Sequence, residues 1–312
     1  MPDRRSLLMS LATAAAFTSS ATSSARAIGA PERLMLWPDF PPGGGGPHGP
    51  VARDAGGAVS NVAMPWLDVF IPDNPNGVAA LVAGGGGYTR IGTVKEAYPA
   101  AFWLTSERIT AFVLTYRLPR EGWDDGPMVS LQDAQRALRL IRANAARFRI
   151  DPNRIGIMGF SAGGHLAGMT AARSDFRSYK RVDAADELSA RPDFSMLLYP
   201  VVSMQPPFDR TTTRRSLVGE NPTPAAAEEW SIQTYVKAGN PKTFLVQADD
   251  DKVISPEHSC VLDEVCRGTG VPIEYHRFAV GGHGFGVGRS DAPVSLWPKL
   301  CRLWLNSVSV LS

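Results

Sequence analysis

Cysteine is scarce in this chain, with three in 312 residues. Cys260, Cys266 and Cys301 form an odd set with no framework spacing, which argues against a disulfide scaffold. No C-x-x-C pair occurs, which argues against a structural zinc site, so the three are expected as buried free thiols. Long apolar runs are also missing. No segment after the first 27 residues reaches the roughly 18 apolar residues of a membrane-spanning helix. The phosphate-loop pattern G-x-x-x-x-G-K-[ST] is absent, and there is no internal repeat.

An excess of charge of one sign is lacking too. The formal net charge is +2. Residues 1–27 hold Arg4, Arg5 and Arg26 against Asp3 alone, so the remainder carries 29 bases and 29 acids. A neutral chain has no electrostatic footprint for nucleic acid or anionic lipid, and neither is expected as a partner. Residues 1–27 read as an export signal. The Arg4-Arg5 pair is followed by a mildly apolar Ala/Ser/Thr run and ends in Ala25-Arg26-Ala27, an A-x-A cleavage site. The arginine pair and the weakly apolar middle favour the twin-arginine route over the ordinary secretory one. An exported protein, periplasmic or extracellular, is expected.

Glycine and proline are plentiful, at 30 and 25 residues. They concentrate in residues 28–58, where Pro41 to Pro47 reads PPGGGGP. That composition predicts an arm without regular structure. The catalytic domain is expected over residues 59–312. Within it, short apolar runs alternate with amphipathic stretches. Strands are predicted at 66–72, 77–83, 109–116, 155–160, 194–202, 243–248 and 273–278. Helices are predicted at 93–104, 129–148, 162–172, 257–267 and 294–308. In the second helix Leu131, Ala134, Leu138 and Ile141 face one way, and Arg136, Arg139 and Arg142 are expected outside. This alternation predicts an α/β fold, a mostly parallel sheet with helices on both faces. Residues 203–240 leave room for only a small lid.

The chain is organised around Gly159-Phe160-Ser161-Ala162-Gly163, a G-x-S-x-G pentapeptide between a predicted strand and a predicted helix. A nucleophile pushed out at so sharp a turn has strained backbone angles, and side chains two residues away would collide. The following helix aims free N–H groups and its dipole at the site. A serine hydroxyl is a poor nucleophile alone and needs a base, an orienting acid and an oxyanion hole.

Of the five histidines, His283 lies in Gly281-Gly282-His283-Gly284, directly after the last strand, where open α/β sheets place their chemistry. His165 is expected to pack under the turn. Asp249-Asp250-Asp251 follows the preceding strand; Asp251 is the preferred acid and Asp250 the second choice. The three acids lack the spacing of a calcium loop. One oxyanion donor should be the N–H of Ala162, next to the serine. The others should come from Gly84-Gly85-Gly86-Gly87, which follows an early strand. The other glycine run, 43–46, follows none.

These ordered motifs, with Tyr116-Arg117-Leu118-Pro119, Arg191-Pro192-Asp193 and Tyr199-Pro200, resemble the α/β-hydrolase superfamily from about residue 60 onward. Within it the chain is similar to bacterial acetyl esterases and acetyl-xylan-esterase-like proteins, near feruloyl-esterase-type and hormone-sensitive-lipase-type relatives. The resemblance implies Ser161 as nucleophile, His283 as base, Asp251 as acid, and a hole from Gly86, Gly87 and Ala162. It implies a cofactor-free serine esterase acting on short acyl esters of a small molecule or an oligosaccharide. Two departures stand out: Gly84 where the glycine loop usually opens with His or Pro, and Gln247 where the strand before the acid often ends in His. A peptidase or amidase on the same fold, or a non-catalytic binding protein, are the rival readings.

Overall fold

The computed structural model describes residues 31–288 and 291–311. The expected export signal lies outside these residues. The described chain is organised on an eight-stranded sheet. Its strands are β1 (Glu32–Met35), β4 (Trp66–Phe70), β5 (Ala79–Ala83), β6 (Thr110–Thr115), β7 (Ile155–Phe160), β8 (Phe194–Leu198), β9 (Lys242–Ala248) and β10 (Ile273–Phe278). A separate two-stranded ribbon pairs β2 (Ala52–Arg53) with β3 (Val59–Ser60). The order across the main sheet is β1-β4-β6-β5-β7-β8-β9-β10. From β6 to β10 the pairings are parallel; β4 runs antiparallel to β6 and β1 to β4.

The helices are α1 (Tyr98–Ser106), α2 (Met128–Ala143), α3 (Ala145–Phe148), α4 (Ala162–Ala172), α5 (Thr212–Val218), α6 (Pro224–Glu229), α7 (Glu257–Thr269) and α8 (Trp297–Ser307). Every residue of β5, β6, β7 and β8 is buried, as expected of central strands covered on both faces. Alternate residues feed two cores. Ile155 and Ile157 of β7 join Leu138, Leu166 and Leu262 from α2, α4 and α7. Met158 and Phe160 join Leu104 of α1 with Trp297 and Trp304 of α8 on the other face. The long predicted helices are subdivided. A π-helical turn, Thr93–Ala97, precedes α1, and a 3-10 turn, Pro293–Leu296, precedes α8. Residues 203–240 hold the short helices α5 and α6 and a 3-10 turn, Ile232–Tyr235.

Two expectations are corrected. The arm is not without regular structure, and the compact unit begins at Pro31, not at 59. Residues 32–35 form an edge strand of the main sheet. The glycines at 43–46 all have positive φ, which lets their backbone bond to residues 122–125: Gly46 N–H to the Gly122 carbonyl, and the Gly43 and Gly44 carbonyls from Asp125 and Asp124. Buried Trp37 donates to Asp133 Oδ1 at 2.9 Å. The glycines are thus used for shape, and their donors and acceptors are met by a distant segment.

The arginines of α2 do not all face outward either. Arg136 is 2% exposed and Arg139 8%; Arg142 is half-buried. Arg136 donates to Leu36 O at 2.8 Å and pairs with Asp183 and Asp186, which pin the connection after α4. Arg139 donates to the Tyr179 hydroxyl at 2.8 Å. The Arg136 charge is thus neutralised by carboxylates about 50 residues further along, and the Arg139 guanidinium is hydrogen-bonded to a hydroxyl about 40 residues along. Arg117 and Asp133, both fully buried, form a further pair at 2.8 Å beneath the arm.

Candidate active site

The site lies at the carboxyl ends of the parallel strands. β5 and β7 are neighbours with Ala83 opposite Gly159, so the glycine loop and the serine turn leave the sheet side by side. Ser161 has φ 52° and ψ −118°, a strained conformation for a residue with a Cβ. The expected steric reason for the flanking glycines is present. A Cβ on Gly159 would stand 2.1 Å from the Gly163 carbonyl oxygen, and one on Gly163 would stand 2.2 Å from the Ala83 oxygen. Ala162 is the first residue of α4, so its N–H has no carbonyl behind it in the helix.

His283 Nε2 lies 2.9 Å from Ser161 Oγ, and its Nδ1 lies 2.7 Å from Asp251 Oδ2. The carboxylate accepts, so Nδ1 carries the proton and Nε2 presents its lone pair to the serine hydroxyl. Asp251 is buried and held on all sides. Oδ1 accepts from the Val253 and Ile254 N–H groups, both at 2.9 Å, and Oδ2 accepts from Gln247 Nε2 at 3.1 Å. Burial opposes its charge, but the His283 hydrogen bond and charge and the two backbone bonds hold its pKa below the ordinary value.

The other two acids do different work. Asp250 Oδ1 accepts the N–H groups of Gly281 at 2.8 Å and Gly282 at 2.6 Å, which anchors the histidine loop. Asp249 pairs with Arg277 of β10 at 2.8 Å. His165 packs beneath the turn, donating from Nε2 to the Trp230 carbonyl at 2.7 Å and accepting the Tyr88 hydroxyl at Nδ1, 2.9 Å. Burial pushes its pKa down to about 4. His258 is likewise buried, pushed to about 4, and accepts the Val202 and Ser203 N–H groups. All three cysteines are free, two buried and Cys260 half-buried.

Gly86 and Gly87 have φ of 122° and 65°, and they line a cleft of about 630 Å³ together with Ser161 and His283. Gly85 lies hard against the serine: a Cβ there would meet Ser161 Cβ at 2.8 Å. The remaining walls are mixed, with polar side chains from Thr89, Arg90, Arg210 and Thr211–Thr213, and Val253 and Ile254 as the larger aliphatic groups.

Three residues of the site were not anticipated. Gln247, noted only as a departure, braces Asp251 and is itself fixed by the Ser259 hydroxyl at 3.1 Å. Glu96 is buried under the glycine loop, and Tyr199 fills the space beneath His283, ring centroids 4.9 Å apart. No short motif marks Glu96 in the sequence. It reaches the site because the π-helical turn projects it inward.

A serine turn, a glycine loop on the adjacent strand, and acid and histidine loops after β9 and β10 define an α/β-hydrolase. Within that class the chain belongs to the BD-FAE family, whose model matches residues 67–265. It is similar to the acetyl ester-xyloside bifunctional hydrolase of Caldicellulosiruptor lactoaceticus, with 34% identity and a TM-score of 0.75 over 91% of this chain and 98% of that one. An acetylxylan esterase of Xylanibacter ruminicola is 30% identical over 223 residues, covering 70% of this chain and 43% of the relative. An endo-1,4-beta-xylanase B of Butyrivibrio fibrisolvens is 33% identical over 211 residues, covering 68% and 33%. The chain thus spans less than half the length of these two curated relatives.

Proposed function

We propose that this protein is an exported serine esterase that releases short acyl groups, acetyl foremost, from hydroxyls of a polar alcohol such as a polysaccharide fragment. The observation that carries the reading is the hydrogen-bond chain Ser161–His283–Asp251 at the wall of a cleft faced by the glycine loop. Ser161 Oγ bonds to the ester carbonyl carbon as its proton passes to His283 Nε2. The carbonyl electron pair moves onto oxygen, where the N–H groups of Ala162, Gly86 and Gly87 hold the negative charge. Asp251 keeps the imidazole in the required tautomer and stabilises the imidazolium. Collapse breaks the carbon–oxygen bond, and the His283 proton leaves with the alcohol. Water then attacks the acyl-serine, gives its proton to His283, and the acid departs as Ser161 is reprotonated.

The hydroxyl and charged side chains that line the cleft, Thr89, Arg90, Arg210 and Thr211–Thr213, can hydrogen-bond a sugar-like alcohol, and the acetyl-ester chemistry of the named relatives supports the acyl group. Export rests on the reading of residues 1–27. Acetate release from acetylated xylan, measured beside a p-nitrophenyl ester series and aminoacyl anilides, tests the reading. Acetate release with little anilide cleavage is expected. Faster turnover of anilides, or of long acyl chains, would overturn it.

A further inference from the structure

The buried Glu96 is not accounted for by the serine, histidine and aspartate. Its two carboxylate oxygens reach two different segments of the chain. Oε2 accepts the Gly85 N–H at 2.7 Å, directly before the proposed oxyanion donors Gly86 and Gly87. Oε1 accepts the Tyr199 hydroxyl at 2.9 Å. The Tyr199 oxygen in turn accepts the Gly286 N–H at 3.0 Å, three residues beyond His283. The Tyr199 ring packs edge-on against the imidazole and against Phe285. Gly286 is held from its other side, where its carbonyl accepts Trp297 Nε1 at 2.9 Å. Gly85 is also held twice, since its carbonyl accepts the Gly92 N–H at 2.8 Å.

A carboxylate under a loop could simply satisfy a buried donor. Three features argue for more. Both partners donate to Glu96, and these two bonds favour its carboxylate form against the burial that raises its pKa above the ordinary value. Glu96 comes from the π-helical turn, where the Ala97 N–H reaches back five residues to Gly92 at 3.3 Å; such insertions are frequent at functional sites. Tyr199 itself has φ 39°, strain that is maintained beside the histidine.

We propose that Glu96 is a positioning residue that, through Tyr199, fixes the distance between the oxyanion loop and the histidine loop. This rests on the esterase reading of the same site. In the transition state the oxygen and the imidazolium develop charge together, so their donors and partners must be correctly spaced at that moment. Glu96 touches neither group. Its loss should therefore lower kcat and leave ground-state binding almost unchanged.

Glu96→Gln keeps the shape but has one acceptor oxygen, so it cannot accept from Gly85 and Tyr199 at once. Tyr199→Phe keeps the ring and removes the hydroxyl that links the two loops. On p-nitrophenyl acetate, each variant should lose about 10²-fold in kcat with KM within about twofold. The double variant should lose no more than the worse single one, because both cut the same linkage. Leu305→Ala, in the core away from the cleft, supplies a control that loses thermal stability and keeps kcat. Wild-type kcat in both single variants, or losses that multiply in the double variant, would overturn the proposal. So would a kcat that simply follows melting temperature across all the variants. If Glu96→Gln does not fold, Tyr199→Phe decides alone: a lowered kcat at constant KM supports the linkage, and unchanged kcat refutes it. An inactive wild type would refute the esterase reading instead.

Discussion

The three consecutive acids after β9 give a sharp test, because neighbours of identical chemistry should differ widely in consequence. Asp251→Asn keeps the volume but replaces one acceptor oxygen with an NH2 group. The present carboxylate accepts from His283, Gln247, Val253 and Ile254. The amide can satisfy the two backbone donors or His283, not all of them, and it no longer enforces the Nδ1–H tautomer. A wrong tautomer behind a serine costs about 10⁴-fold in kcat, or about 5.5 kcal/mol of transition-state stabilisation. Asp250→Asn retains an oxygen that can still accept from Gly281 and Gly282. The charge assistance it loses is exposed to solvent and is worth about 1 kcal/mol, or roughly five- to tenfold in rate. Asp249→Asn should change kcat less than twofold, since it breaks only a half-exposed pair with Arg277. The assay is kcat on p-nitrophenyl acetate at pH 7.5, with melting temperatures recorded for each variant. A loss in Asp250→Asn equal to or greater than that in Asp251→Asn would refute the reasoning and reassign the acid.

Further outcomes follow from the same geometry. His165 and His258 are each pushed from 6.5 to about 4 by burial, so the unfolded chain binds protons there that the folded chain does not. Their contribution to stability is complete above about pH 6.5 and is lost as pH falls towards 4, up to about 3 kcal/mol for each. Urea unfolding at pH 7 and pH 5 should show this fall, and a pH-independent midpoint would contradict it. Gly163→Ala should abolish soluble, active protein, since its Cβ would stand 2.2 Å from a strand carbonyl. Gly284→Ala meets nothing within 4 Å and should cost only about 1 kcal/mol through its positive φ of 73°; expression level and thermal melting compare the two. Asp133→Asn should destabilise by about 3–5 kcal/mol, because Arg117 would be left buried with its charge uncompensated.

Local pattern revealed the part of the fold that local physics determines. The central strands are continuous apolar runs, and the serine turn announces itself because sterics demand glycine at both flanks. His283 is legible because glycines and a preceding strand confine it to one loop end. What was not legible depends on distant partners. Nothing in residues 41–47 shows that residues 122–125 complete their hydrogen bonds, so proline and glycine there suggest an irregular arm. Arg136 has the spacing of a solvent-facing residue, and only the folded chain brings Asp183 and Asp186 to it. The three acids differ by the direction of a turn. The Asp251 N–H bonds back to the Ala248 carbonyl, and its side chain accepts the Val253 and Ile254 N–H groups, which turns this carboxylate inward. Glu96 depends on a one-residue widening of a helix, a feature that composition does not encode.

The central claim is that Ser161 forms the acyl bond. Purified wild-type protein and Ser161→Ala should be compared on p-nitrophenyl acetate and then treated with a serine-directed phosphonate, with the adduct mass mapped. The account predicts one adduct on the wild type, at Ser161, and loss of at least about 10³-fold in kcat with no adduct in the variant. Wild-type turnover by Ser161→Ala, or labelling at another residue, would contradict it.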